Sequence, residues 1–175
     1  MANNSDVKVK VQVADSEYDP VEVDFDSPHF APLVKAIAEL SYGGEGTHEG
    51  GGVFMVSGRW NYSRNFDWRD DVRALAKVFV DTVAEMKIDE PCLLFDYVDA
   101  DTAMDWIGYG RIIVYSDGSV NQVEDVSMSL NEGADDVEYP GFKYDGEDVD
   151  SDDYIEKYYA WYDGLYQKYY NTYIG

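Results

Sequence analysis

The sequence predicts an α+β fold: a mostly antiparallel sheet with two internal helices and a tyrosine-rich C-terminal helix. Three observations predict it. Short strand-like segments outnumber helical ones, an Asp-Gly turn joins two of them, and hydrophobic residues make up 45% of the 175 residues, enough for a core. The length suits one domain covering 1–175.

Each element has a local reason. Val7–Val13 (VKVKVQV) alternates apolar and polar positions, the pattern of a half-buried strand. A turn at Asp15–Asp19 leads to Val21–Asp26 (VEVDFD), which alternates again. Its Val21, Val23 and Phe25 point one way, and Glu22, Asp24 and Asp26 the other. Ser27 and Pro28 open a helix, and Phe30, Leu33, Val34, Ile37 and Leu40 keep helical spacing to about Ser41. Gly43–Gly52 holds six glycines in ten residues and reads as a flexible loop.

Val53–Trp60 is the next strand, and a helix follows from about Trp68 to Met86, burying Val72, Leu75, Ala76, Phe79 and Val83. Leu93–Val98 and Trp106–Tyr115 read as strands. Ser116–Ser119 supplies the Asp-Gly hairpin signal, with Gln122–Leu130 returning from it. The strand after the second helix has two readings, parallel or antiparallel to its neighbour. Tyr154–Tyr173 is a helix with Ile155, Tyr158, Tyr162, Leu165 and Tyr169 on one side.

Catalytic chemistry finds little support. Cys92 follows Pro91 beside an apolar strand and reads as a small buried hydrophobe. His29 and His48 form no triad spacing, and no phosphate loop, dinucleotide fingerprint or zinc spacing occurs. The glycine segment carries Glu45 and Glu49, which repel phosphate. No enzyme activity and no cofactor are expected.

Two acidic clusters suggest calcium: Asp96, Asp99, Asp101 and Asp105, and the twelve residues Asp145–Glu156. The second departs from an EF-hand loop at its middle, where Val149 and Asp150 replace an oxygen ligand and glycine. A solvated acidic face explains both clusters without a metal.

Charge is the strongest signal. Thirty-six acids against thirteen bases give −23, where a small soluble domain carries a net charge of roughly 2–8 in magnitude. Such a surplus repels itself and adds nothing to the fold, so a partner of opposite charge is expected to use it. Adaptation to salt is the bland alternative. The acids are clustered, which weakens it: residues 91–175 hold nineteen acids and four bases, and Glu132–Glu156 alone holds eleven acids and one base, Lys143. If helical, those 25 residues span about 37 Å, about 3.4 Å per acid, while duplex DNA carries one phosphate per about 3.4 Å on each strand.

The expected partner-binding residues are therefore Asp135, Asp136, Glu138, Asp145, Glu147, Asp148, Asp150, Asp152 and Asp153, with Glu22, Asp24 and Asp26 as a second patch. The segment 132–156 is expected as an edge or loop of the domain. An acidic surface avoids nucleic acid and anionic membranes, and the expected partner is a basic nucleic-acid-binding protein. The single cysteine and the absence of a signal-like N-terminus lead to an expectation of a cytoplasmic protein. A homodimer is compatible with the sequence.

In composition the chain resembles the small acidic DNA-mimic inhibitors that phages and mobile elements use against restriction and CRISPR systems. The likeness rests on the −23 balance and on the stretch EGADDVEYPGFKYDGEDVDSDDYIE. It implies a non-enzymatic inhibitor that fills a nucleic-acid groove with carboxylates in place of phosphates. An immunity protein against a toxin nuclease shares that mechanism. A calcium-binding acidic domain is the alternative of another class.

Overall fold

The computed structural model describes residues 5–40, 45–58, 69–101 and 106–129, and the helical positions Glu156, Ala160, Gly164 and Gln167. The fold is α+β, with helices on one face of an antiparallel sheet. Its strands are β1 (Ser5–Ala14), β2 (Pro20–Val21), β3 (Glu45–Gly50), β4 (Val53–Gly58), β5 (Cys92–Asp101), β6 (Trp106–Tyr115) and β7 (Val120–Ser129). They lie in the order β3-β4-β1-β5-β6-β7, with β2 pairing the end of β1. Every pairing among the described strands is antiparallel, which resolves the orientation of β5.

The helices are α1 (Ala31–Ala38), preceded by a 3-10 turn at Pro28–Phe30, and α2 (Arg69–Val83), extended by a 3-10 turn at Ala84–Met86. The expected buried stripe of α2 is observed: Val72, Leu75, Ala76, Phe79 and Val83 are all buried. With Leu33 and Ile37 of α1 they pack on the odd positions of β1, Val7 to Val13, and on Leu93, Phe95, Tyr97, Ile112 and Val114. This single cluster is the main core, and the alternation of β1 directly supplies four of its members, Val7, Val9, Val11 and Val13.

The second face of the sheet holds a smaller cluster of Ala14, Cys92, Leu94 and Ile113, with Tyr115 packed against it. Next to it runs a row of charge. Lys10 stands opposite Asp96, Asp96 opposite Arg111, and Arg111 opposite Glu124, so signs alternate across four strands. Asp96 and Arg111 form a two-point ion pair, Nε to Oδ1 at 2.6 Å and Nη2 to Oδ2 at 3.0 Å. A charge this close to the core is tolerated because the guanidinium fork satisfies both carboxylate oxygens.

Two expectations need correction. The glycine-rich segment is not a flexible loop where it is described: Glu45–Gly50 is strand β3, paired with β4 across a tight turn. Its glycines answer to space and dihedral angle. A Cβ on Gly46 would fall on the carbonyl oxygen of Ala38, and one on Gly52 on that of Val11, while Gly50 and Gly51 have φ of 111° and 54°. Gly46→Ala is accordingly expected to cost about 2 kcal/mol by forcing α1 away from β3. The check is a fall in Tm of roughly 4–8 °C in calorimetry.

The second correction concerns Val21–Asp26. Only Pro20 and Val21 pair with β1, after which Asp24 turns the chain by accepting a hydrogen bond from the Asp26 amide at 3.0 Å. Aspartate favours such turns because its side chain substitutes for a backbone acceptor. The alternation of exposure survives the loss of the strand: Val21 and Val23 are half-buried and Phe25 is buried, while Glu22, Asp24 and Asp26 are exposed.

Residues 132–155 of the acidic segment and most of the stretch expected as a tyrosine-rich C-terminal helix lie outside the described residues. Glu156, Ala160, Gly164 and Gln167 are helical and exposed.

Candidate partner-binding surface

Three chain reversals meet at one end of the sheet. Ala14 of β1 is opposite Cys92 of β5, and Cys92 is opposite Tyr115 of β6. The turn after β1, the approach to β5 and the turn after β6 therefore lie side by side. Ser16 Oγ donates to Asp89 Oδ2 at 3.2 Å, and the hydroxyls of Tyr18 and Tyr115 are 3.0 Å apart, which ties these turns together.

This end is acidic. Asp15, Glu17, Asp19, Asp89, Glu90 and Asp117 belong to it, all exposed except the half-buried Asp15, with two bases beside them, Lys87 and Arg73, the latter packed against Gly118. Part of the acidity has a local job. Asp15 Oδ1 accepts from the amides of Glu17 and Asp19 at 2.9 and 3.1 Å, shaping the turn. Asp117 Oδ1 accepts from the hydroxyl and the amide of Ser119, at 2.6 and 2.8 Å, and the pair holds its carboxyl below the usual range. The hydrogen bond to Tyr115 raises the Tyr18 phenol above its ordinary value.

The backbone is unusual at the same place. Tyr18, Lys87 and Glu90 have φ of 63°, 52° and 41°, the positive-φ non-glycine residues among those described. A left-handed conformation costs a residue with a Cβ roughly 1–2 kcal/mol. Lys87 closes the 3-10 turn that ends α2, a position where glycine is ordinarily preferred. Lys87→Gly is expected to raise stability by roughly 0.5–1 kcal/mol, read as a higher urea midpoint at unchanged slope.

From this end an acidic track continues through β2 and the residues after it. The ten residues 17–26 hold five acids and no base, and Glu17, Asp19, Glu22, Asp24 and Asp26 are all exposed. Asp26 is partly committed to the fold. Both its oxygens lie 3.0 Å from the Gly51 amide, and its carboxylate is 3.8 Å from His48, whose Nε2 donates to the Gly51 carbonyl at 2.7 Å. Asp26 thus clamps the β3–β4 turn as well as facing solvent. The carboxylates of Glu17, Asp19 and Glu22 make no such bond among the described residues.

Of the twelve residues the sequence singles out, Glu22, Asp24 and Asp26 lie on this track. Asp135, Asp136, Glu138, Asp145, Glu147, Asp148, Asp150, Asp152 and Asp153 lie outside the described residues. Sequence reasoning missed Glu17, Asp19, Asp89, Glu90 and Asp117 as a group. Their turns are legible, as DSEYD, IDEP and SDGS, but their adjacency follows only from the pairing of β1 with β5 and of β5 with β6.

The cation reading of the Asp96 cluster meets an obstacle. Asp96 and Asp99 are buried and project to opposite faces of β5. Asp96 is bound to Arg111. Among the described residues no three His, Cys, Asp or Glu side chains are grouped to hold a metal ion. Cys92 is buried, and desolvation, with the negative charge of Asp15, pushes its thiol up and away from reactivity. Alkylation of Cys92 is expected only on the unfolding timescale, which a maleimide reaction followed with and without urea checks.

No helix among the described residues is long and apolar enough to cross a membrane. The chain matches no protein-family model, no curated protein and no solved structure.

Proposed function

We propose that this protein is a non-enzymatic nucleic-acid mimic that occupies the DNA- or RNA-binding groove of a basic protein in the cytoplasm, such as a restriction, CRISPR or other defence nuclease. The observation that carries the reading is the track 17–26, five exposed carboxylates in ten residues with no base among them. Turns at Asp15–Asp19 and at Asp24–Asp26 bend this track, so its carboxylates form a dense irregular cluster of negative charge rather than one evenly spaced row. The segment 132–156, with eleven acids and one base, extends the cluster in this reading.

The tyrosine-rich C-terminus joins the reading as a helix. Glu156, Ala160, Gly164 and Gln167 recur every three or four residues and are exposed.

The binding physics is long-range attraction over many weak contacts. It gives fast association, and an affinity that falls steeply with salt because the partner regains counterions as the mimic leaves. A toxin nuclease presents the same groove chemistry as a defence nuclease, so an immunity role shares the mechanism. The test is capture of basic proteins from a bacterial lysate at low salt, repeated with excess duplex DNA or RNA. Nucleic-acid-binding proteins that are displaced on competition support the reading. Capture that ignores both the competitor and the salt would overturn it.

A further inference from the structure

We infer that residues 154–173 dock on the second face of the sheet, the one away from α1 and α2, and close it to a partner, independently of the mimic reading. Both helices pack with Val7, Val9, Val11 and Val13 on the first face. Pleating sends Val98 of β5 to the second face, with Tyr109 of β6 opposite it in register and Ile107 two residues away. Yet Val98 and Ile107 are 0% exposed, and Tyr109 is 9% exposed. Flanking strands alone do not achieve this, since Val53 and Met55 on the same face are only half-buried. The three side chains lie beyond the Asp96–Arg111 pair, and the small cluster around Cys92 does not include them.

Residues 154–173 fit this cover by size and by chemistry. The stretches 1–4, 41–44 and 102–105 are four residues each, and 59–68 must deliver the chain to α2 on the first face. Residues 130–153 hold ten acids, whose carboxylates lose water against apolar side chains. Residues 154–173 instead hold eight tyrosines, Trp161, Ile155 and Leu165. The described helical positions there, Glu156, Ala160, Gly164 and Gln167, are exposed and carry none of these apolar or aromatic groups. A helix from Glu156 to Gln167 is about 16 Å long, against about 13 Å for the strand from Leu94 to Val98. Tyrosine also suits the mixture on this face. Its ring covers valine and isoleucine, its hydroxyl bonds polar neighbours, and Arg111 brings a guanidinium, a group that stacks on aromatic rings.

The experiment attaches a nitroxide to Gly164→Cys in the full chain and reads the valine, leucine and isoleucine methyl groups by NMR. Position 164 is exposed and a Cβ there meets nothing within 4 Å, while Cys92 is buried and stays unlabelled in the folded chain. Expected is a paramagnetic relaxation enhancement at Val98 and Ile107 roughly tenfold that at Leu33 and Ile37 of α1, on the other face. Ala160→Cys, labelled in the same way, gives the same reading should the first variant fold poorly. Equal enhancement on the two faces, or a stronger effect at Leu33 and Ile37, would rule the docking out. Mixing nitroxide-bearing chains with isotope-labelled chains that lack the nitroxide identifies the source. Unchanged Val98 signals in the mixture support cover by the same chain. Broadened ones assign the cover to a second copy and overturn the inference.

Discussion

Reversing Glu17, Asp19 and Glu22 to lysine together is expected to weaken capture of the basic partner about a hundredfold at low salt, chiefly through slower association. The three carboxylates are exposed and hold no other side chain among the described residues, so the fold suffers little when they change. Surface substitutions of this kind ordinarily stay within about 0.5 kcal/mol of the parent. The dependence on salt should flatten in parallel, by about one unit of log–log slope for each carboxylate that no longer meets a basic group. The same treatment of Asp145, Asp148, Asp150 and Asp153 tests the other acidic segment. A graded weakening over both sets is the signature of a mimic, in which many weak contacts share the energy. Full binding by the first variant, with unfolding unchanged, would remove the track from the interface.

Arg111→Met is expected to be the most damaging change to stability at a polar site, at about 2–3 kcal/mol. It leaves the Asp96 carboxylate, 12% exposed, without the guanidinium that holds both its oxygens. Removing one partner of a fully buried pair costs about 3–5 kcal/mol, and the 38% exposure of Arg111 places this pair below that range. Changing Asp96 to Leu in the same chain should restore most of that stability, because two apolar side chains no longer strand a charge. Urea unfolding of the two single variants and the double one measures the coupling directly. Additive effects would mean that the pair adds nothing beyond its separate packing.

The two experiments bear on different kinds of carboxylate, and the sequence does not separate them. Asp96 and Asp99 look like members of one cluster with Asp101 and Asp105. Strand pleating sends the first two to opposite faces, and burial makes them part of the interior. Glu17 and Asp19 look like ordinary turn residues, yet pairing of distant strands gathers them with Asp89, Glu90 and Asp117. The glycines of 43–52 teach the same lesson. Composition reads them as slack, whereas Gly46 and Gly52 are small because backbone from α1 and β1 passes against them.

What the sequence determined by itself is local: the alternating face of β1, the buried stripe of α2, the Asp-Gly hairpin and the surplus of negative charge. Each is a property of neighbours along the chain, where periods of 2 and 3.6 residues map directly onto faces. What only the tertiary structure decided is which acids meet and which disappear. Strand order and register are set by contacts between residues far apart in sequence, so β1 lying between β4 and β5 was written in no single segment. Part of the negative surplus thus becomes structure, in Asp96, Asp15 and Asp26. Glu17, Asp19, Glu22 and their neighbours stand exposed at one end of the sheet and beside β2.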